Sequence, residues 1–141
     1  MPREATVADE SAVEITGNIF VLQEASIHPV GMDAPQLPQL MSGQDQRTDH
    51  ALGFYPVHCN EDVHSSQWEM HPSSDELVGL LSGQMRLFLE NAQGCQPISL
   101  NPMTAVVVPA GTWHRFEMVH PGVLFTLTRR QGTQRREVRH G

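Results

Sequence analysis

At 141 residues the chain has room for one ordinary domain and not comfortably for two. Apolar residues make up 39% and charged residues 18%, a balance that supports a packed core and excludes wholesale disorder. The net charge of −7 is uneven: five Arg against one Glu give residues 129–141 a net +4, leaving −11 on residues 1–128, so nucleic acid is not an expected partner.

The first residues, MPREATVADESAVEI, are acidic and polar and lack the apolar centre of a signal peptide. No apolar run approaches the ~20 residues that span a bilayer, so a cytoplasmic protein without a membrane partner is expected. Residues 1–13 read as a flexible N-terminus. Residues 14–22, EITGNIFVL, read as an early strand or a pair of short ones. Residues 28–50 hold Pro29, Pro35 and Pro38 among polar residues without periodicity, and read as a long loop. Such a loop is placed to act as a lid, and a short helix near 35–42 is compatible with it.

From residue 51 onward strands follow at spacings of about ten residues. They are expected at 52–58, 67–71, 76–81, 84–90, 96–100, 105–108, 112–119 and 123–128. Turn signals separate them at Ser82-Gly83, Asn91 to Gly94, Asn101-Pro102, Pro109 to Gly111 and Pro121-Gly122. An all-β sandwich or barrel is expected over 14–128. Residues 129–141 read as an Arg-rich C-terminal tail, a solvated end that pairs with the acidic body of its own or a neighbouring chain. Cys59 and Cys95, without CxxC spacing, indicate neither a thiolate zinc site nor a disulfide framework.

Two stretches gather chemistry. In the first, a strand carrying Glu69 and His71 projects both from one face and Trp68 and Met70 from the other. Pro72-Ser73-Ser74-Asp75 then turns the chain, with Asp75 as a turn residue. Glu76 opens the next strand on the same face as Val78 and Leu80, where a carboxylate needs a partner or a cation. In the second stretch, a buried strand ends at Pro109-Ala110-Gly111 and His114 follows on the returning strand, sharing its face with Phe116 and Met118.

These stretches resemble the two motifs of the cupin superfamily. The first cupin motif reads His-x-His, three or four residues, Glu, six residues, Gly. This chain has Glu69-x-His71, four residues, Glu76, six residues, Gly83. The second motif reads Pro-x-Gly, two residues, His, three residues, Asn. This chain has Pro109-x-Gly111, Thr112-Trp113, His114, three residues, Met118. Glu69 stands in for the first His, and Met118 for the closing Asn. The wording WEMHP…DE is similar to that of small bacterial single-domain cupins.

The resemblance implies a cupin-type jelly-roll barrel over 14–128, with motifs at 69–83 and 109–118 and an N-terminal arm before it. It implies Glu69, His71, Glu76 and His114 as ligands of one divalent metal ion, a set suited to Fe(II), Mn(II), Zn(II) or Ni(II). A homodimer is expected, with residues 14–25 in the interface, and a small polar ligand in the barrel mouth.

Two functional classes stay open. One is a metal-dependent enzyme of oxygenase, isomerase or lyase type, with Glu69 as a base. The other is a non-catalytic small-molecule-binding module, with or without metal. For His71 and His114 the alternative to ligation is a hydrogen-bonded pair in a metal-free barrel. For Glu69 it is a hydrogen bond to a ligand or to a neighbouring Arg. His58 and His64 read as ordinary surface or core histidines, and Trp68, Met70 and Trp113 as packing on an outer sheet face. There is no GxSxG, HExxH, P-loop or dinucleotide fingerprint.

Overall fold

β-Branched and aromatic residues in period-two alternation build an antiparallel structure. The computed structural model describes residues 14–23, 25–42, 50–91 and 96–139. The expected flexible segment 1–13 and Cys95 lie outside the described residues. The strands are β1 (Asn18–Gln23), β2 (Ser26–Gly31), β3 (His50–Val57), β4 (Gln67–Met70), β5 (Glu76–Leu89), β6 (Pro97–Leu100), β7 (Thr104–Val108), β8 (His114–Thr128) and β9 (Gln134–Glu137). A short helix, α1 (Leu37–Ser42), and a 3-10 turn at Asn60–Val63 interrupt them. No helix among the described residues is long and apolar enough to cross a membrane.

The sheet runs in the order β2-β1-β3-β8-β4-β9, and β5 pairs with β6, β7 and β8. Strand β8 joins the parts. Its second half pairs with β3 and β5 at once, and its first residue, His114, lies opposite Glu69 of β4. The all-β jelly roll expected from the sequence forms around the buried side chains of Val57, Val78, Leu80, Met85, Leu87 and Leu124. Ile19, Val21, Val30, Leu40 and Ala51 make a second core, which fastens α1 to β1, β2 and β3.

Strands β5 and β8 continue where turns were expected at Ser82-Gly83 and Pro121-Gly122. The two sites face each other, and the pairing slips by one residue between Leu80 and Met85. Buried positions accordingly change from Glu76, Val78 and Leu80 to Met85 and Leu87. An irregularity of one residue keeps the apolar face inward through the bend. The strands also touch there. Gly83 has φ of 88°, and a Cβ on Gly122 would collide with the Ser82 carbonyl. Glycine at these positions lets the ladder bend without ending.

Three other expectations change. Residues 28–50 are not a featureless loop, because β2 occupies 26–31 and α1 occupies 37–42. Leu40 of α1 is buried in the second core, which anchors the helix. The early strand begins at Asn18 and is flanked by β2 and β3, so among the described residues it is an interior strand and not a sheet edge.

The Arg-rich end is no free tail. Strand β9 pairs with β4 from Gln67 to Met70. Arg136 lies over both Trp68 and Trp113, 5.6 Å and 4.5 Å from their ring centroids, and pairs with Glu90. The positive segment does meet the acidic body, but from within the sheet.

Replacing Gly122 with Ala should lower unfolding stability by about 1–3 kcal/mol, because the added methyl has no space against Ser82. Urea titration checks this. An unchanged midpoint would mean that β5 and β8 do not touch at the bend.

Candidate metal centre

Glu69 comes from β4, His71 directly follows it, Glu76 opens β5 and His114 opens β8. One ligating atom from each lies within 4.8 Å of all the others. His71, Glu76 and His114 are 2%, 2% and 1% exposed, so the cluster is sealed from bulk water on most sides. Strand pairing explains the meeting of residues distant in the chain. Glu69 and His114 are direct partners across β4 and β8. The Gly111 N–H donates to the His71 carbonyl at 3.0 Å, and the Ala110 N–H to Asp75 Oδ1 at 2.9 Å. Asp75 is a turn residue, as expected, and it ties the turn of the first stretch to the turn of the second.

The ring orientation of each histidine is set from behind. His114 Nδ1 lies 3.0 Å from the Thr112 carbonyl oxygen, which only accepts, so Nδ1 carries the proton. Thr133 Oγ1 donates to the Arg130 carbonyl at 2.6 Å and therefore accepts from His71 Nδ1 at 2.8 Å. With Nδ1 so engaged, each ring in its neutral form would turn an Nε2 lone pair toward the same space. Glu76 lies between them, with Oε1 2.8 Å from His114 Nε2 and Oε2 3.3 Å from His71 Nε2. Glu69 Oε1 is 3.0 Å from His71 Nε2. These contacts are short, yet His71 Nε2, His114 Nε2 and Glu76 Oε1 lack hydrogen-bond direction and remain unsatisfied. Lone pairs facing carboxylates at this range repel unless a proton or a metal cation sits among them.

Protonation answers this in part. Burial lowers the His71 pKa, but the adjoining Glu69 and Glu76 carboxylates outweigh it and raise the pKa to about 8. Burial likewise works against the Glu76 anion, while His114 and His71 hold its pKa down at about 2. Burial also works against the Glu69 anion, and His71, Arg130 and Arg135 together hold it well below the usual carboxylate range. So low a pKa makes Glu69 a weak proton acceptor in this arrangement.

Arg130, Arg135 and Thr133, which the sequence reading assigned to the tail, contact the candidate site. Arg130 Nη1 lies 3.6 Å from Glu69 Oε1, and Arg135 Nη2 lies 2.9 Å from Glu69 Oε2. Arg135 also donates to the Met41 carbonyl in the last turn of α1 at 2.9 Å. A signal for them existed. Gln131-Gly132 is a turn pair after the strand at 123–128, and Gln134 to Glu137 can form its return.

The cluster opens onto a cavity of about 590 Å³. Glu69, Glu76, His114 and Arg130 line its charged part, and Leu37 and Met41 of α1 contribute to its apolar wall. The sequence left a short helix near 35–42 open, and the helix that forms there lines one side of the cavity. His64 reaches this cavity, whereas His58 lies exposed outside it, with its backbone N–H on Asp62 at 2.8 Å.

No protein-family model matches the sequence. None of the curated proteins matches it. Among solved structures, a cupin-2 domain protein from Shewanella frigidimarina aligns at 17% identity and a TM-score of 0.46, over 57% of this chain and 71% of its own. A cupin superfamily protein from Desulfitobacterium hafniense aligns at 18% and 0.46, over 57% of this chain and 66% of its own. Oxalate decarboxylase from Bacillus subtilis, a protein with Mn(II) centres, aligns at 16% and 0.46. That match covers 63% of this chain and 23% of the decarboxylase. The all-β barrel here stands on this chain's own strand pairing and on the meeting of its two motif hairpins.

The pKa values set the pH response of the chelated protein. His71, raised from 6.5 to about 8, contributes stability that is complete below 6.5 and lost as pH rises through about 8. Glu76, lowered from 4.5 to about 2, contributes stability that is present above 4.5 and lost as pH falls through about 2. In EDTA, stability should therefore fall by roughly 1–2 kcal/mol between about pH 6 and about pH 9. Chemical denaturation at the two pH values tests this, and a flat or rising profile would contradict it.

Proposed function

We propose that the protein binds one divalent transition-metal ion through Glu69, His71, Glu76 and His114 and holds a small polar ligand beside it. The observation that carries this reading is the pair of buried, unsatisfied Nε2 atoms facing two carboxylates. Each ring donates its other N–H to a fixed acceptor, the arrangement that orients a metal-ligating imidazole. Two imidazoles and two carboxylates suit Fe(II), Mn(II), Zn(II) or Ni(II). A bound ion of this kind supplies Lewis acidity toward a carbonyl or a water molecule.

The chain's own residues define the rest of the role. Burial of His71, Glu76 and His114 keeps bulk water from three of the four side chains that would hold the ion. Glu69, more exposed and paired with two guanidinium groups, is the ligand most readily exchanged. Its depressed pKa favours charge pairing and ligation over proton abstraction. Oxygenase, isomerase or lyase chemistry extends this reading, and Glu69 acts as a base there only when Arg130 and Arg135 turn away from it.

Elemental analysis after chelation and reloading with Fe, Mn, Zn or Ni should find about one ion per chain. The double variant His71→Ala, His114→Ala should retain almost none. Wild type holding less than ~0.1 equivalent, as the double variant does, would refute the reading. Thr133→Val should weaken the ion by roughly 10- to 100-fold in a chelator competition, and Thr133→Ser should restore it. Equal affinity in all three would show that Thr133 does not orient His71.

A further inference from the structure

Burying a guanidinium removes its hydration, and the loss is tolerated when every N–H finds an acceptor. Arg130 departs from that rule. It is 6% exposed and lines the cavity beside Glu69, yet its Nη1 has no hydrogen-bond partner. Its nearest carboxylate oxygen, Glu69 Oε1, is 3.6 Å away and is shared with His71. Tyr55 lies close enough to favour the charged guanidinium. Arg135, by contrast, has both the Met41 carbonyl and Glu69 Oε2 at 2.9 Å. Arg130 is thus a buried cation of the cavity lining with an unpartnered N–H group, whereas Arg135 is more exposed and its Nη2 is engaged twice.

The charges agree with an anionic occupant. Glu69 and Glu76 balance Arg130 and Arg135 when the histidines are neutral. A divalent ion among these groups leaves the site with an excess of +2. Asp62 lies in the cavity lining too, but its carboxylate is engaged by the His58 N–H at 2.8 Å.

The walls narrow the choice further. Away from the charged floor the cavity is lined by Leu37, Met41, Val63, Phe116 and Leu124. A volume of about 590 Å³ lies within the ordinary range for small-molecule sites. A phosphate dianion would leave these apolar walls uncovered. A carboxylate presents two oxygens, one for the guanidinium and one for a second cation, and carries its own apolar tail.

We propose that the cavity takes an amphipathic small-molecule carboxylate, its head group on Arg130 and its apolar chain against Leu37, Met41, Phe116 and Leu124. The proposal deepens the functional reading and rests on it, since the acid shares the cavity with the ion. Arg130 is the residue that selects for a carboxylate over an uncharged analogue. The wall that includes α1 selects for chain length.

Isothermal titration of the Zn-loaded protein with hexanoate, acetate and hexan-1-ol tests both parts, with zinc content measured on every sample. Hexanoate should bind at least about 10-fold more tightly than acetate, from apolar burial. It should also bind roughly 10- to 100-fold more tightly than hexan-1-ol, from the charge-assisted bond. Arg130→Gln should remove most of the preference over hexan-1-ol while zinc stays bound. Leu37→Asp, in a half-buried side chain of α1, should remove the preference over acetate and covers the case in which Arg130→Gln fails to fold.

Zinc bound with hexanoate no tighter than hexan-1-ol would overturn the carboxylate assignment and leave the metal reading intact. Hexanoate affinity unaltered in Arg130→Gln or in Leu37→Asp would overturn it as well. Wild type without zinc would instead defeat the functional reading, and this proposal with it.

Discussion

The fixed orientation of two imidazoles is the constraint on which the site depends. A histidine ring in a barrel interior can satisfy itself by turning either nitrogen toward a carbonyl. Here the turning is settled behind the ring, by the Thr112 carbonyl for His114 and by Thr133 Oγ1 for His71. Both Nε2 atoms are thereby committed to a space occupied by carboxylates. A chain selected only for stability would fill that space with apolar groups, since a buried ionic cluster rarely outperforms a hydrophobic one of equal volume. The arrangement makes sense when a cation completes it. A proton on His71 does so partially, and the proposed divalent ion would do so for all four side chains.

The fold supplies this orientation through a few direct links. Glu69 and His114 are opposite one another in the sheet, so neither depends on a flexible loop. The two turns that carry His71 and Gly111 are bound by a backbone hydrogen bond and by the Asp75 carboxylate. Ser74 Oγ accepts from the Arg129 N–H at 2.9 Å, which sets where the chain leaves β8 toward Arg130 and Thr133. Small errors in any of these would misalign several side chains together. Rigid strands and short, doubly bound turns are what a site of this kind requires.

Part of this was legible in the sequence from periodicity, and the convergence of the set from the resemblance to the cupin motifs. Period-two alternation puts Glu69 and His71 on one face of a strand, and Glu76 on the face of Val78 and Leu80 in the next. Pro109-Ala110-Gly111 before His114 gives a turn and a return strand in the same way. The failures have physical causes too. Ser82-Gly83 and Pro121-Gly122 look like turns because glycine permits tight bends, but the same freedom also lets two long strands bulge together. The terminal arginines look like a solvated end because charge density carries no information about pairing. Arg135 and Arg136 alternate across β9, with one on Glu69 and the other stacked on tryptophans. That division needs the partner strand β4 to be known.

Glu69 and the two arginines form a set, and this bears on how the site tolerates an acidic residue where the cupin pattern has histidine. Substituting a carboxylate for an imidazole adds a negative charge beside Glu76. On its own it would push one of the two carboxyl groups toward its neutral form. Arg130 and Arg135 prevent that by holding Glu69 ionised from both oxygens. The extra acid is thus compensated within the chain, not by the ion alone. A Glu69 that shares its charge with two guanidiniums is a weaker donor to a metal than Glu76, which is bounded only by the two imidazoles among its ion-pair partners. The site then divides into a firm triad of His71, Glu76 and His114 and one exchangeable carboxylate. On the proposed reading, a shift of that carboxylate onto the ion would free cationic surface in the cavity at the place where an anionic ligand would enter, and the two binding events would be coupled through one side chain.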